Sequence, residues 1–176
     1  APTAGLHFTK NLLQEIRSLG VKTVLVTLHV GWASFRPVKN EEIMEHDLRP
    51  EWYRIDNEAA RTISVAKREG RRIICVGTTA VRLLEHAVSQ KSKRLEGDEL
   101  SQEILTGESG WADLFIYPGH QFRVVDGLVT NFHLPRSTLL MLTCAFSDRD
   151  LVMQAYRLAT ERRYRFYSFG DAMFLL

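Results

Sequence analysis

Between Thr9 and Gly20 the apolar residues Leu12, Leu13, Ile16 and Leu19 recur at three- and four-residue spacing, which marks one face of a helix. Thr9 is suited to cap its start and Gly20 to stop its end. The pattern then changes. In Val21 to Val30 (VKTVLVTLHV) the run Val24-Leu25-Val26 is apolar on consecutive positions, as in a strand covered on both faces. Asp56 or Asn57 opens a second helix that Gly70 ends, Arg72 to Val76 forms the next strand, and Gly77-Thr78-Thr79 turns that strand into a helix carrying Val81, Leu83, Leu84 and Val88. Residues 89 to 111 become polar and predict a long connection. Val21 to Val30 and Arg72 to Val76 are therefore expected to be central strands.

Further on, Leu114 to Tyr117, Phe122 to Val125 and Leu128 to Phe132 are short apolar segments split by Pro118-Gly119 and Asp126-Gly127, a pattern that predicts a meander with tight turns. Helices from Ser137 to Phe146 and from about Arg149 to Arg162 follow, and Tyr164 to Phe169 and Ala172 to Leu176 read as strands. This alternation predicts an α/β layered domain with a mixed, largely buried β-sheet flanked by helices. With 176 residues, 45% of them hydrophobic and 25% charged, one domain over 1–176 has enough apolar material for one sizeable core.

Charge narrows the function classes. The 23 basic and 21 acidic residues leave a formal net charge of +2, so any nucleic-acid contact must come from a local patch. Two are visible: Arg162, Arg163 and Arg165 beside the aromatics of Tyr164 to Phe169, and the edge made by Arg68, Arg71 and Arg72. Aromatics beside basic groups suit a splayed single-stranded loop. No apolar run reaches the ~20 residues of a membrane span and no basic-then-apolar leader stands first, so a cytoplasmic protein without a membrane partner is expected. A monomer is the default oligomeric state. Cys75 and Cys144 lie in apolar segments without a CxxC pattern, which predicts buried, reduced thiols.

The polar cluster Asn131-Phe132-His133-Leu134-Pro135-Arg136-Ser137-Thr138 joins a strand to an apolar helix. Pro135 lacks the N–H a ladder needs, and Ser137 or Thr138 is suited to cap the helix. Asn131, His133, Arg136 and Ser137 thus gather at a helix N-terminus, where free N–H donors and partial positive charge suit an anion or polar ligand. Gly77-Thr78-Thr79-x-x-Arg82 makes a second such junction. Glycine permits close backbone approach, the threonines offer hydroxyls and N–H groups, and Arg82 follows on the first helical turn. Neither a Walker pattern nor GxGxxG is present, so nucleotide hydrolysis and a dinucleotide site lack support. His7, His29 and His133 end apolar segments without zinc-type spacing, so no metal is predicted.

Four ordered stretches carry a family resemblance: Ala1-Pro2-Thr3-Ala4-Gly5-Leu6-His7-Phe8, Arg71 to Arg82 (RRIICVGTTAVR), DGLVTNFHLPRSTLLML from Asp126, and Tyr164 to Met173 (YRFYSFGDAM), with Leu114 to Gly119 (LFIYPG) between. Together they resemble the S-adenosylmethionine:tRNA ribosyltransferase-isomerase family of queuosine biosynthesis, and the match implies the carboxy-terminal part of such an enzyme, without the family's separate β-barrel. Two motifs depart from the family pattern. Ala33-Ser34 stands where Gly-Thr is usual, and His46-Asp47-Leu48-Arg49-Pro50-Glu51 stands for His-x-x-His-x-Glu, with Arg49 unable to act as a neutral base.

The resemblance implies S-adenosylmethionine as cosubstrate, no cofactor, and a tRNA partner carrying a precursor-modified wobble base. On that footing His133 is the acid–base candidate, and Asp126 or Asp171 the carboxylate that orients the substrate amine. Gly77, Thr78, Thr79 and Arg82 would hold an anionic end of a ligand, His7 and Asn131 would supply hydrogen bonds, and Arg136 and Ser137 would complete the site. Gly77 to Arg82, Asn131 to Ser137 and His7 are expected to share one cleft. The rival reading is a non-catalytic RNA- or nucleoside-binding domain that kept the scaffold.

Overall fold

The computed structural model describes residues 2–31, 49–94 and 104–176; Trp32 to Leu48, with the Ala33-Ser34 and His46 positions, lie outside them. A short 3-10 turn at Thr3–His7 precedes α1 (Lys10–Ser18), whose first turn is held by the Thr9 hydroxyl accepting the Leu12 N–H. After β1 (Thr27–Leu28) and β2 (Glu51–Ile55), Asp56 caps α2 (Asn57–Arg68) by accepting the Ala59 N–H. Then come β3 (Ile74–Val76), α3 (Thr78–Arg94), β4 (Glu108–Ala112), β5 (Gly127–Asn131), α4 (Thr138–Phe146), α5 (Arg149–Glu161) and β6 (Ala172–Leu175). Among the described residues no helix is long and apolar enough to cross a membrane.

Among the described residues the fold is mixed α/β with two three-stranded sheets. One is antiparallel in the order β1-β2-β4; the other runs β3-β5-β6, with β3 parallel and β6 antiparallel to β5. A single apolar cluster joins them, with Ile55 from the first sheet, Leu128 from the second, and Leu83, Leu105, Ile116 and Leu142 from the elements between, all essentially fully buried. A second cluster of Phe132, Cys144, Val152, Tyr156 and Ala159 packs α4 and α5 beside the end of β5.

Several expectations change. Within Val21 to Val30 only Thr27–Leu28 forms a strand, and among the described residues it lies at a sheet edge. Val24, Val26 and Leu28 turn toward the core while Leu25 is 88% exposed, so one face is covered among the described residues rather than two. Among the described strands the middle ones are β2 and β5, and Ile74–Val76 is an edge. β2 was hidden because its inward positions are Glu51, Tyr53 and Ile55, and a charged residue breaks the apolar alternation.

The expected meander is absent as well, since Leu114 to Tyr117 and Phe122 to Val125 form no strands. The main-chain N–H groups of Arg123, Val124 and Val125, which a ladder would use, donate instead to the buried carboxylate of Glu85 at 2.9–3.0 Å. The polar stretch after residue 88 extends α3 to Arg94 and later supplies β4, which pairs with β2. Tyr164 to Phe169 is also no strand: Tyr167 has φ 71, a left-handed conformation that no ladder accommodates.

Candidate functional site

Because β3 and β5 are parallel and paired from Ile74↔Gly127 to Val76↔Val129, their carboxy-terminal ends lie side by side. Each then feeds a helix, α3 through Gly77 and α4 through Phe132 to Ser137. Ligands in α/β sheets commonly sit at such strand ends. Here a cavity opens between the junctions, lined by Gly77, Thr78, Thr79 and Arg82 from one and by Thr130, Asn131, His133 and Ser137 from the other, with Pro2 to Ala4 and Tyr167-Ser168 completing the wall. Gly77 makes its turn at φ 91, and an added Cβ would lie 3.1 Å from Pro2 Cβ, so both conformation and contact call for glycine.

Asn131 ties the wall together. Its Oδ1 accepts from the Thr3 hydroxyl at 3.1 Å, and its Nδ2 donates to Gly170 O at 3.0 Å and approaches His7 Nε2 at 3.3 Å. One side chain thus holds the amino-terminal turn, the end of β5 and the 165–171 turn in register. Ser137 caps α4: its hydroxyl accepts the Leu140 N–H at 3.1 Å and donates to Leu134 O at 2.7 Å, which commits that hydroxyl to structure.

Arg82 reaches the cavity wall from inside the core. Its Nη1 meets Glu51 Oε2 at 2.7 Å, its Nε donates to Leu114 O at 3.2 Å, and Glu51 Oε1 accepts the Gly31 N–H at 2.6 Å. Burial holds the guanidinium pKa below its usual value, and the carboxylate of Glu51 offsets only part of that. Glu51 is the residue that sequence reasoning missed here; its signal was the glutamate closing the His-x-x-His-x-Glu pattern, which makes the pairing a meeting of two motifs. His133 is held by Thr130, whose Oγ1 lies 2.8 Å from Nε2, and by Tyr156, whose OH accepts the His133 main-chain N–H at 2.9 Å. Burial lowers the imidazole pKa to about 4, so the ring is neutral near pH 7 and is a weak base.

Other predicted residues fall elsewhere. Asp126 precedes β5 at the end opposite Asn131, on the order of 15 Å away at about 3.3 Å per residue. There it accepts from Lys67 Nζ at 2.6 Å and the Ile73 N–H at 2.8 Å, and so joins α2 to the sheet. Asp171 lies next to Gly170 but outside the cavity lining. Its carboxylate receives the main-chain N–H and Nη2 of Arg165 at 2.8 and 3.0 Å, and these bonds hold its pKa below the usual range. Arg136 is exposed in a turn with φ 54, and His7 is exposed behind Asn131; neither lines the cavity. Among the described residues no group of three or more His, Cys, Asp or Glu side chains is placed to share a metal ion.

Residues 1–175 match the family model described as queuosine biosynthesis protein. The chain is 50% identical over 176 residues to the S-adenosylmethionine:tRNA ribosyltransferase-isomerase of Caldanaerobacter subterraneus subsp. tengcongensis, and 52% identical over the same span to that of Carboxydothermus hydrogenoformans; each alignment takes in 100% of this chain and 48% of the relative. The crystal structure of S-adenosylmethionine tRNA ribosyltransferase from Thermotoga maritima aligns with a TM-score of 0.72 at 44% identity, over 98% of this chain and 51% of that one. The chain spans about half the length of the curated relatives it matches.

Proposed function

The chain belongs to the queuosine biosynthesis protein family, as its four motifs led us to expect, and from that premise we propose that it serves S-adenosylmethionine-dependent ribosyl transfer and isomerisation on tRNA. In this reading the ribosyl part of S-adenosylmethionine moves to the aminomethyl group of 7-aminomethyl-7-deazaguanine at the anticodon wobble position in the cytoplasm. It is isomerised to an epoxycyclopentanediol, and adenine and methionine leave. The observation that carries the proposal is the convergence of the two strand–helix junctions on one cavity, with Thr78, Thr79, Arg82, Asn131 and His133 in its wall.

The chemistry sets the demands. The sulfonium acidifies the neighbouring 5′ carbon, so the cosubstrate supplies its own activation. The methionine carboxylate needs N–H donors, which the first turn of α3 at Thr78 and Thr79 offers. Departing adenine needs a hydrogen-bond donor at a ring nitrogen, and a neutral imidazole at His133 suits that better than proton abstraction, given its low basicity. Asn131 keeps the wall in place through Thr3, His7 and Gly170. Asp171, one residue beyond Gly170, would orient a substrate amine only after Arg165 releases its carboxylate. The exposed Arg162, Arg163 and Arg165 lie on the segment that leads into Tyr167 and Ser168 of the cavity wall, a fitting approach for an anticodon loop.

The test is adenine release from S-adenosylmethionine, measured on the chain alone and on a chimera that adds the half of the Carboxydothermus relative it does not span. The chimera is expected to release adenine only with precursor-modified tRNA, and the chain alone to release little. A folded chimera that binds S-adenosylmethionine yet releases no adenine with that tRNA would overturn the enzyme reading in favour of a binding module.

A further inference from the structure

We propose that Thr130 is a positioning residue that fixes the tautomer of His133, so that the ring presents one permanent N–H donor, at Nδ1, to the cavity. That the donor meets a purine ring nitrogen rests on the preceding reading; the tautomer itself does not. The Thr130 Oγ1 to His133 Nε2 distance is 2.8 Å, and Thr130 is 1% exposed. A hydroxyl brings one proton to donate and two lone pairs to accept with, and in folded proteins a buried donor without an acceptor is rarer than an oxygen with an unused lone pair. Among the described residues this contact is the one hydrogen bond of the Thr130 side chain. The hydroxyl therefore donates, Nε2 accepts, and the single ring proton resides on Nδ1.

Nδ1 is the ring nitrogen left for the cavity. His133 lines the cavity, its ring makes no second hydrogen bond among the described residues, and Nδ1 is not one of the buried polar atoms lacking a partner. Two contacts hold the residue: Thr130 from β5 at the ring, and the Tyr156 hydroxyl from α5 at its main-chain N–H. Burial alone accounts for its low proton affinity, with no charged group contributing, so near neutral pH the doubly protonated ring, which would blur the assignment, is not populated. A donor with fixed direction and no net charge fits a nitrogen that gains electron density as the glycosidic bond breaks.

The tautomer is read by long-range ¹H–¹⁵N correlation of the histidine rings in the chain itself, with the His133 signals identified by their loss in His133→Gln. The expected result near pH 7 is a single Nδ1–H form in the unsubstituted chain, a shift toward Nε2–H in the near-isosteric Thr130→Val, and return to Nδ1–H in Thr130→Ser. An Nε2–H or mixed form in the unsubstituted chain would overturn the proposal outright, whether or not any variant folds; so would an Nδ1–H form that survives in folded Thr130→Val. In the chimera, Thr130→Val should lower kcat for adenine release by about tenfold, the worth of one such hydrogen bond, with KM little changed and with rescue by Thr130→Ser. A chimera inactive before any substitution would count against the proposed function, while the ring spectra would still decide the tautomer.

Discussion

Replacing Glu51 by alanine leaves the Arg82 guanidinium in the core without its carboxylate, and the consequence should be large. The two side chains are 3% and 6% exposed, and the contact between them is 2.7 Å. Breaking a buried pair from one side typically costs about 3–5 kcal/mol, because the remaining charge keeps its desolvation penalty and loses its compensation. The Gly31 N–H, which donates to the other oxygen of Glu51 at 2.6 Å, loses its acceptor too. For a chain of 176 residues, where about 1 kcal/mol moves Tm by roughly 2–4 °C, Glu51→Ala should lower Tm by roughly 6–20 °C. Urea unfolding at pH 7, followed by far-UV circular dichroism and by the fluorescence of Trp52 and Trp111, which face each other across β2 and β4, should show a lower midpoint at unchanged slope. The double variant Glu51→Met with Arg82→Met should be less destabilised than the two single losses added, since replacing a whole buried pair by apolar groups of similar volume is often near neutral. A Glu51→Ala chain within about 1 kcal/mol of the parent, or strict additivity in the cycle, would refute the account of a desolvated, mutually dependent pair. The same reasoning governs Arg82→Ala: loss of activity in that variant reports on ligand binding only if its melting temperature is preserved.

Two further outcomes follow from the cavity wall. His133 has a proton affinity lowered from the ordinary 6.5 to about 4 by burial, so the unfolded chain takes up the proton first. Stability attributable to this ring should be complete above about pH 6.5, decline as pH falls toward 4, and reach a loss of up to about 3 kcal/mol; His133→Gln should flatten that part of the stability profile, and identical profiles for the two chains would contradict the assignment. A Cβ on Gly170 would come within 2.5–2.6 Å of the main chain of Arg165 and Phe166, which cannot yield as a side-chain tip would. Gly170→Ala should therefore cost about 1–3 kcal/mol and loosen the Asn131 side-chain amide, visible as faster hydrogen exchange of its NH₂ group; unchanged Tm and exchange would show that the turn adapts freely.

Local signals in the sequence carried well into the structure. Thr9, Asp56 and Ser137 each cap the helix that follows, and Gly77 takes the positive φ that only a residue without a Cβ adopts readily. Such features depend on neighbours three or four positions away, so the chain displays them directly. The shared cavity was legible only in part: both strand–helix junctions stood out as candidate site segments, but the parallel pairing of β3 with β5 that sets their ends side by side was not, because Leu128 to Phe132 read as the end of a meander, and His7 and Arg136 fall outside the lining. Charged residues that work inside the fold were not legible. Glu85 receives three main-chain N–H groups from 38 to 40 positions away, and Glu51 meets Arg82 across 31; in sequence each looks like a solvated surface residue, and each redirected an assignment of strands. Asp126 misled in the opposite sense, since an acidic residue beside a motif draws chemical attention while its place at the wrong end of β5 gives it the work of binding Lys67 and the Ile73 N–H.

These buried charges bear on what the cavity accepts. Had Arg82 reached the wall without Glu51, and had His133 been protonated, the site would have carried two positive groups beside two helix N-termini, a setting that repels a sulfonium. Instead the guanidinium is matched by a carboxylate at 2.7 Å and the imidazole is neutral near pH 7. What remains is the partial positive charge of main-chain N–H groups at Thr78 and Thr79, which is short-ranged and falls off within the first turn. A wall of that kind attracts a carboxylate locally without opposing a cation a few ångströms away. S-adenosylmethionine carries both, and under the proposed function the neutralisation of Arg82 and His133 is as much a condition for binding it as any direct contact.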